Sequence, residues 1–500
     1  MLTEVSYYKF GMRLLTILLF ILFSKYAEAQ YFNGYISSDF SGIIGARLHP
    51  AAIANSPYKY DVSLLNGNFY YTNNISYLTK NNNGDRGFRR LDDSQMRFAH
   101  VDMRIGGMSA LLSLKNRSAI GIQYQLRGAI SGINITPDFV QQFGRFQTVN
   151  FANQLVTDQK GDIATSFWHE VGLTYALILS ENVYSRWKAG ATFKFVNPVA
   201  NAILRLENMD YEVTSDGTAI INTIQSQVAY SSNLNSYEPF DGNEPIRFPS
   251  ALGFTPAFDI GFSYESVLYR DDPKAENLTS YYPDILYEHK FSISVTDIGL
   301  MTFEYGSASF NILDVLPSNG TIDFDNLLSG VSSVRELQDS LATITDMESL
   351  SGSYTVSMPT ALNISYDYNW KNNWYFNIAG QFDVSRLMNT DYRMNYPNSM
   401  TITPRYESGF SGLYFPIYIN FEGDVELGTA IRYGPVSIGT QSLGSLFSSE
   451  KKSAGVFFSI NLRQLKANSQ KPYCFGKSKR TGSAGISTQR KPLYKRKSLF

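Results

Sequence analysis

The sequence predicts an all-β protein: a transmembrane antiparallel β-barrel of about fourteen strands, with an N-terminal plug-like segment and a disordered basic C-terminal tail. Three observations carry the prediction. Strand-length stretches alternate apolar and polar residues down most of the 500-residue chain. A secretory signal opens the chain, and no later segment approaches the roughly 20 apolar residues that a spanning helix needs. Aromatic residues reach 14%, with 34 Tyr and 34 Phe, while charged residues are only 17%, against about 25% in an average soluble domain. Tyr-rich girdles at two membrane interfaces would use such a composition.

Residues 186–195 show the alternation best. Arg186, Lys188, Gly190, Thr192 and Lys194 share one face; Trp187, Ala189, Ala191, Phe193 and Phe195 share the other. Successive strand side chains point to opposite faces. In a soluble two-sheet protein, the rival reading, these faces are solvent and core. Behind a secretory signal they are a polar lumen and a lipid face, and a chain that spans a membrane without apolar helices does so with strands.

Taken in order, residues 1–29 read as a signal peptide. Leu14 to Phe23 is apolar apart from Thr16, Lys9 and Arg13 precede it, and Ala27-Glu28-Ala29 is a small-x-small cleavage site. Residues 30–59 follow as a plug-like segment. Within it, 42–56 is small, apolar and too irregular for a barrel wall, and suits the lumen. The barrel is expected over 60–463. Candidate strands are 60–72, 94–114, 118–130, 166–179, 184–196, 254–268, 287–297, 299–312, 354–370, 373–384, 414–433, 435–446 and 453–463. With both termini periplasmic the count must be even. Strands 184–196 and 254–268 both read as outward, so an inward strand is expected within 201–230, which makes fourteen.

The joints are of two kinds. Lys115-Asn116-Arg117, Ser180 to Val183, Asp297-Ile298-Gly299, Lys371-Asn372-Asn373 and Tyr433-Gly434-Pro435 are short. Segments 73–93, 131–165, 269–286, 313–353 and 385–413 are long and polar. Short periplasmic turns and long outer loops are the rule in bacterial outer-membrane barrels, so 131–165, 313–353 and 385–413 are placed outside. In 313–353, Val331, Val334, Leu337, Leu341 and Ile344 fall at helical spacing.

From Arg463 onward the chain carries eleven Lys and Arg and no acidic residue, although the whole balances at −1. An acidic body therefore ends in a basic tail, 464–500, rich in Gly, Ser, Gln and Pro and containing the cluster Lys495, Arg496, Lys497. It reads as disordered. An acidic periplasmic partner or anionic lipid headgroups would suit it; a plain soluble extension is the bland alternative.

Chemistry is sparse. The single cysteine, Cys474, excludes disulfides and CxxC metal sites. There is no Gly-x-Ser-x-Gly elbow, His-Glu-x-x-His or phosphate loop, so no enzyme, cofactor, metal site or nucleic-acid partner is expected. His100 and Asp102 share a face with Arg104. With Arg186, Lys188, Lys194, Asp259 and Glu265, and with Arg127, Asp367 and Glu426, they are expected to line the lumen. A midplane Arg or Lys facing lipid costs about 2–4 kcal/mol. These charges either pair and fill the barrel or form a selective wet pathway.

Leu48-His49-Pro50-Ala51-Ala52-Ile53-Ala54 resembles the Asn-Pro-Ala-Ala segment of long-chain fatty-acid-transporter-like (FadL-like) outer-membrane barrels, with His49 in place of Asn. The resemblance implies an N-terminal plug inside a fourteen-strand barrel and transport of hydrophobic small molecules. Over 38–463, Phe254-Thr-Pro-Ala-Phe-Asp259-Ile-Gly261, Thr296-Asp297-Ile298-Gly299, Thr403-Pro404-Arg405-Tyr406-Glu407 and Ile431-Arg432-Tyr433-Gly434-Pro435 resemble a bacterial outer-membrane family that carries only a domain-of-unknown-function label. The expected function is a passive outer-membrane channel for hydrophobic or amphipathic small molecules; the alternative is a non-transporting scaffold for other envelope proteins.

Overall fold

The faces of the strands are inverted relative to a soluble protein. Along 120–127, Ile122 is 48% exposed and Gln123 5%, with Tyr124 exposed and Gln125 and Arg127 buried. Apolar side chains point out and polar ones in, which is stable only where lipid is the outer solvent. In the computed structural model the described residues are 34–466, apart from 81–85, 91–94, 115–116, 139–153, 183, 216–218, 238–252, 268–286, 317–333, 372, 423–424 and 444–451.

Fourteen antiparallel wall strands close on themselves. β1 is Tyr58–Asn73. β2 comes in two pieces, Arg97–Gly106 and Ser109–Ser113. β3 is Ser118–Ile135, β4 Gly161–Glu181 and β5 Ser185–Val213. β6 is Ala219–Tyr230 and then Thr255–Val267, and β7 is Tyr287–Glu304. β8 is Ser353–Ser357 with Ala361–Lys371, β9 Trp374–Asp383 and β10 Ser399–Glu407. β11 is Ser411–Tyr414 with Ile417–Asn420, and β12 Val425–Leu427 with Thr429–Tyr433. β13 is Val436–Thr440 and β14 Ser453–Leu465. β14 pairs with β1 from Tyr58↔Leu465 to Thr72↔Ser453, so no edge is left open. An even count brings both ends of the barrel wall to one end, where the Lys466 amide bonds the Pro57 carbonyl at 2.9 Å.

The expected total of fourteen is met, but several assignments change. Asp297-Ile298-Gly299 is no turn: β7 runs through it, with Thr296 and Asp297 bulged opposite Asp259. Asp297 has φ 60°; an Asp that tolerates left-handed backbone signals a bulge as readily as a turn. Residues 414–433 form two strands, not one, and 385–413 contains β10 and a tight turn at 408–410. The first residues of 131–165 and the last belong to β3 and β4. Strands 184–196 and 254–268 do not run the same way, because Thr255–Ser266 pairs antiparallel with Ser185–Val196. The inward strand expected in 201–230 exists, yet it is the upper half of β6. β5 is simply long, 29 residues, and its partner is broken in two. Val267 bonds Tyr184 and pairs with Tyr287, so β6 ends and β7 begins at the short-turn end and not at the loop end.

An aromatic girdle marks the short-turn end. Exposed Trp187 packs near Tyr264 with centroids 4.8 Å apart, Phe410 on Tyr433 at 4.7 Å and Trp374 on Tyr406 at 5.5 Å. Such amphipathic rings suit the headgroup level.

At the opposite end a small module rises above the wall. The outer halves of β5 and β6 continue into strands Phe310–Val315 and Thr345–Ser349. Helix Val334–Ala342 covers one face, with Leu341 buried and Val334 and Leu337 packed on a cluster including Tyr211, Ile224 and Phe310. The expected helix is real over Val334–Ala342, with Ile344 in the turn after it; Val331 lies outside the described residues, as do the signal segment, Cys474 and the tail cluster Lys495, Arg496 and Lys497.

Candidate functional site: a plugged lumen

Residues 34–56 fold inside the barrel as two 3-10 helices, Asp39–Arg47 and Pro50–Asn55. Ser38 starts the first by accepting the Phe40 N–H at 3.0 Å, and Pro50 begins the second, where a missing N–H costs nothing. Gly42 breaks the first helix at φ 63°. A Cβ there would meet the Asp61 carboxylate at 1.9 Å, so glycine is the residue that fits. The reward is that the Ile43 N–H donates to Asp61 at 2.8 Å. Arg463 on β14 grips the same carboxylate at 2.9 Å and donates to Tyr35 at 2.7 Å.

The predicted plug motif sits on a glycine floor. Gly190 and Gly261 are paired across β5 and β6. A Cβ on Gly190 would come within 2.5 Å of the Pro50–Ala51 backbone, and one on Gly261 within 3.1 Å of His49 and Pro50. The His49 ring lies 3.0 Å from the Phe262 carbonyl through Nε2. Burial and the nearby Lys188 ammonium push that imidazole down to about 3, so the ring is neutral. Ala51 is fully buried, and Ala52 faces a cavity of about 60 Å³ between plug and wall that Lys188 and Lys290 also line.

Apolar and ionic contacts hold the plug together. Ile43, Ile44, Ala46 and Ile53 pack on Leu111, Ala119, Ala176 and Phe457 of the wall. Asp39 takes Lys290 at 2.9 Å and the Tyr287 hydroxyl at 2.9 Å. Burial alone would raise the Asp39 carboxyl, but Lys290, Lys188 and Arg405 hold it below its ordinary value. Ser38 donates to Glu407, itself paired with Arg405 at 2.9 Å.

Above the plug lies a belt of charge. Arg127 donates to both Asp297 oxygens, at 2.8 and 3.0 Å, and pairs with Glu170 at 3.3 Å. Lys194 bridges Asp297 at 2.6 Å and Asp259 at 2.7 Å. Trp168 donates to Glu170 at 3.0 Å. Arg104 holds Asp102 at 2.9 Å, and Asn68 bonds the same carboxylate at 3.2 Å. Nearer the turns, Arg186 pairs with Glu265 at 2.8 Å and Glu181 at 2.9 Å, and Lys188 pairs with Glu265. All eleven residues expected to line the lumen are buried. His100 pairs with Glu422 at 3.0 Å, while the guanidinium of Arg104 occupies Asp102.

Tyr396 escaped sequence reasoning. The segment between β9 and β10, expected to stand outside, dips into the lumen and places the Tyr396 hydroxyl against Arg104 and Arg127. Met394 and Tyr392 of this segment join Met301, Phe303, Tyr354, Val356 and Met358 in an apolar cluster inside the outer half of the barrel. The signal was Tyr392, Met394 and Tyr396 alternating in a stretch whose Asn and Pro content read as loop. Asp367 was expected in the lumen, but its partners Lys290 and Arg405, and Glu407 beside them, were not; β10, which carries Arg405 and Glu407, was not resolved from its loop. Among the described residues no cluster of His, Cys, Asp or Glu is arranged to hold a metal ion, and no helix is long and apolar enough to cross a membrane.

The barrel is similar in outline to several solved structures. The Ralstonia pickettii toluene transporter TbuX aligns with 9% identity and a TM-score of 0.40, covering 87% of this chain and 100% of that one. A Pseudomonas aeruginosa FadL homologue aligns with 9% identity and a TM-score of 0.39, over 87% and 98%. The P. putida toluene transporter TodX gives 8% and 0.37, over 87% and 98%. No curated protein matches the sequence. A model of a family of unknown function (DUF5723) matches residues 50–440, from the plug motif to the end of β13, and the chain belongs to that family.

Proposed function

We propose that this protein is a passive outer-membrane channel for hydrophobic or amphipathic small molecules, closed in the observed state by residues 34–56, with the chain termini and short turns in the periplasm. The observation that carries the reading is the stacking order of the lumen. An apolar, Met- and aromatic-rich cluster at the loop end lies over an ionic belt, and the belt lies over a plug seated on glycines. Methionine and aromatic side chains repack around varied apolar shapes, so this cluster can part around a ligand with an apolar body. The internal voids near the plug and below Tyr396, about 60 and 30 Å³, are too small for passage, so opening requires the plug and the 384–398 segment to move.

The test is uptake of a lipophilic fluorescent probe into vesicles carrying the purified protein. Deleting 34–56 should raise the initial rate, and Met394→Arg in that background should lower it again. Equal rates for all three proteins and for empty vesicles would refute the channel.

The rim module favours a second reading, a scaffold for other envelope proteins. Its helix and its added strands extend the outer halves of β5 and β6 beyond what closing the barrel needs, as a docking platform would. Partners that co-purify with the whole protein and are lost with Leu341→Asp, while uptake stays at background, would favour the scaffold.

A further inference from the structure

Six cations inside this barrel are matched by carboxylates. Arg104, Arg127, Arg186, Lys188, Lys194 and Arg405 each hold a carboxylate. At the loop end a cavity of about 80 Å³ lies between the outer parts of β3, β4 and β5 and the inward-dipping 384–398 segment. Three arginines line it, Arg205, Arg386 and Arg393, with Asn134, Asn395 and a single carboxylate, Asp162. Arg205 gives its Nε to Asp162 at 3.1 Å and lays its guanidinium 5.2 Å over the Tyr392 ring, which fixes its plane.

Arg386 and Arg393 are different. Neither makes a hydrogen bond or ion pair with any described residue, and both are exposed. Asp383 lies near enough to feel both charges without reaching either. Asp391 is occupied by the amide and hydroxyl of Thr355, at 2.7 and 3.0 Å. The lining therefore carries two more positive than negative charges, from three arginines around one cavity.

We infer that this mouth cavity is a binding site for a phosphate group, held by Arg205, Arg386 and Arg393. Guanidinium forks match phosphate oxygens in pairs, and two uncompensated charges match a phosphate monoester. The site does not depend on transport through the lumen. A phosphorylated lipid headgroup at the rim and a free phosphate in solution both carry the required chemistry.

Calorimetric titration of the full-length protein in phosphate-free detergent micelles tests it, with two probes. One is inorganic phosphate; the other is mixed micelles containing phosphatidic acid, against phosphatidylcholine as control. Saturable binding of either probe is expected, weakening as sodium chloride rises. The double variant Arg386→Gln, Arg393→Gln should lose at least tenfold in affinity, with its heat-shifted gel mobility unchanged. Binding of phosphatidic acid alone identifies a headgroup site, and binding of inorganic phosphate identifies a soluble ligand; both support the inference. No binding of either probe, or equal affinity in the double variant, overturns it.

Discussion

Gly190 and Gly261 decide how closely the plug approaches the wall. Adding a Cβ and two methyls at Gly190 forces the Pro50–Ala51 backbone away, an overpacking cost of about 1–3 kcal/mol. Gly190→Val should therefore loosen the plug in an intact barrel, read as faster protease cleavage within 34–56 at unchanged barrel melting. His49 adds a pH dependence. Its docked value, about 3, lies below the ordinary 6.5, so the undocked plug binds more protons in between. Docking is fully favourable above about 6.5 and weakens as pH falls toward 3. Asp39, held below the usual carboxylate value, adds to the loss only at the acid end. Conductance in planar bilayers should rise between pH 6.5 and 4, and His49→Asn should flatten that rise. These contacts were half legible. The Leu48–Ala54 stretch announced a plug by its small, apolar, non-alternating residues, but its seat did not show, because a glycine pair across two strands is invisible until register is known.

At the scale of elements, alternation gave strands β3 and β4 and the first half of β5, since each has a continuous lipid face. It failed where a strand is interrupted. Pro416 in β11 and Gly428 in β12 break short strands that the sequence runs together, and the Asp297 bulge imitates a turn. The same bulge turns the Asp297 carboxylate toward Arg127 and Lys194, so the feature that misled the reading builds the charged belt. Arg127→Leu leaves two carboxylates short of a partner and should cost about 3–5 kcal/mol, measured as a lower urea midpoint for refolding into lipid. The rim module is a separable element. Leu341→Asp should release helix Val334–Ala342 and expose amides of Phe310–Val315 to hydrogen exchange, while the amides of β3 and β4 stay protected.

For the whole molecule, closure between β1 and β14 removes every wall edge, and the inverted faces require a lipid surround. The C-terminal wall strand reaches Leu465, two residues beyond the expected end, and Lys466 still bonds Pro57. Truncation after Lys466 should leave insertion intact, whereas any partner of the basic tail should be lost in a salt-dependent way, which a pull-down across a salt series would read. The central claim is that an enclosed lumen is closed by its own N-terminal segment. Single-channel recording of the wild type beside a variant lacking 34–56 tests this most directly. A largely silent wild type and stable, stepwise conductance in the variant are expected. A variant that inserts as a heat-modifiable barrel yet remains as silent as the wild type would contradict it.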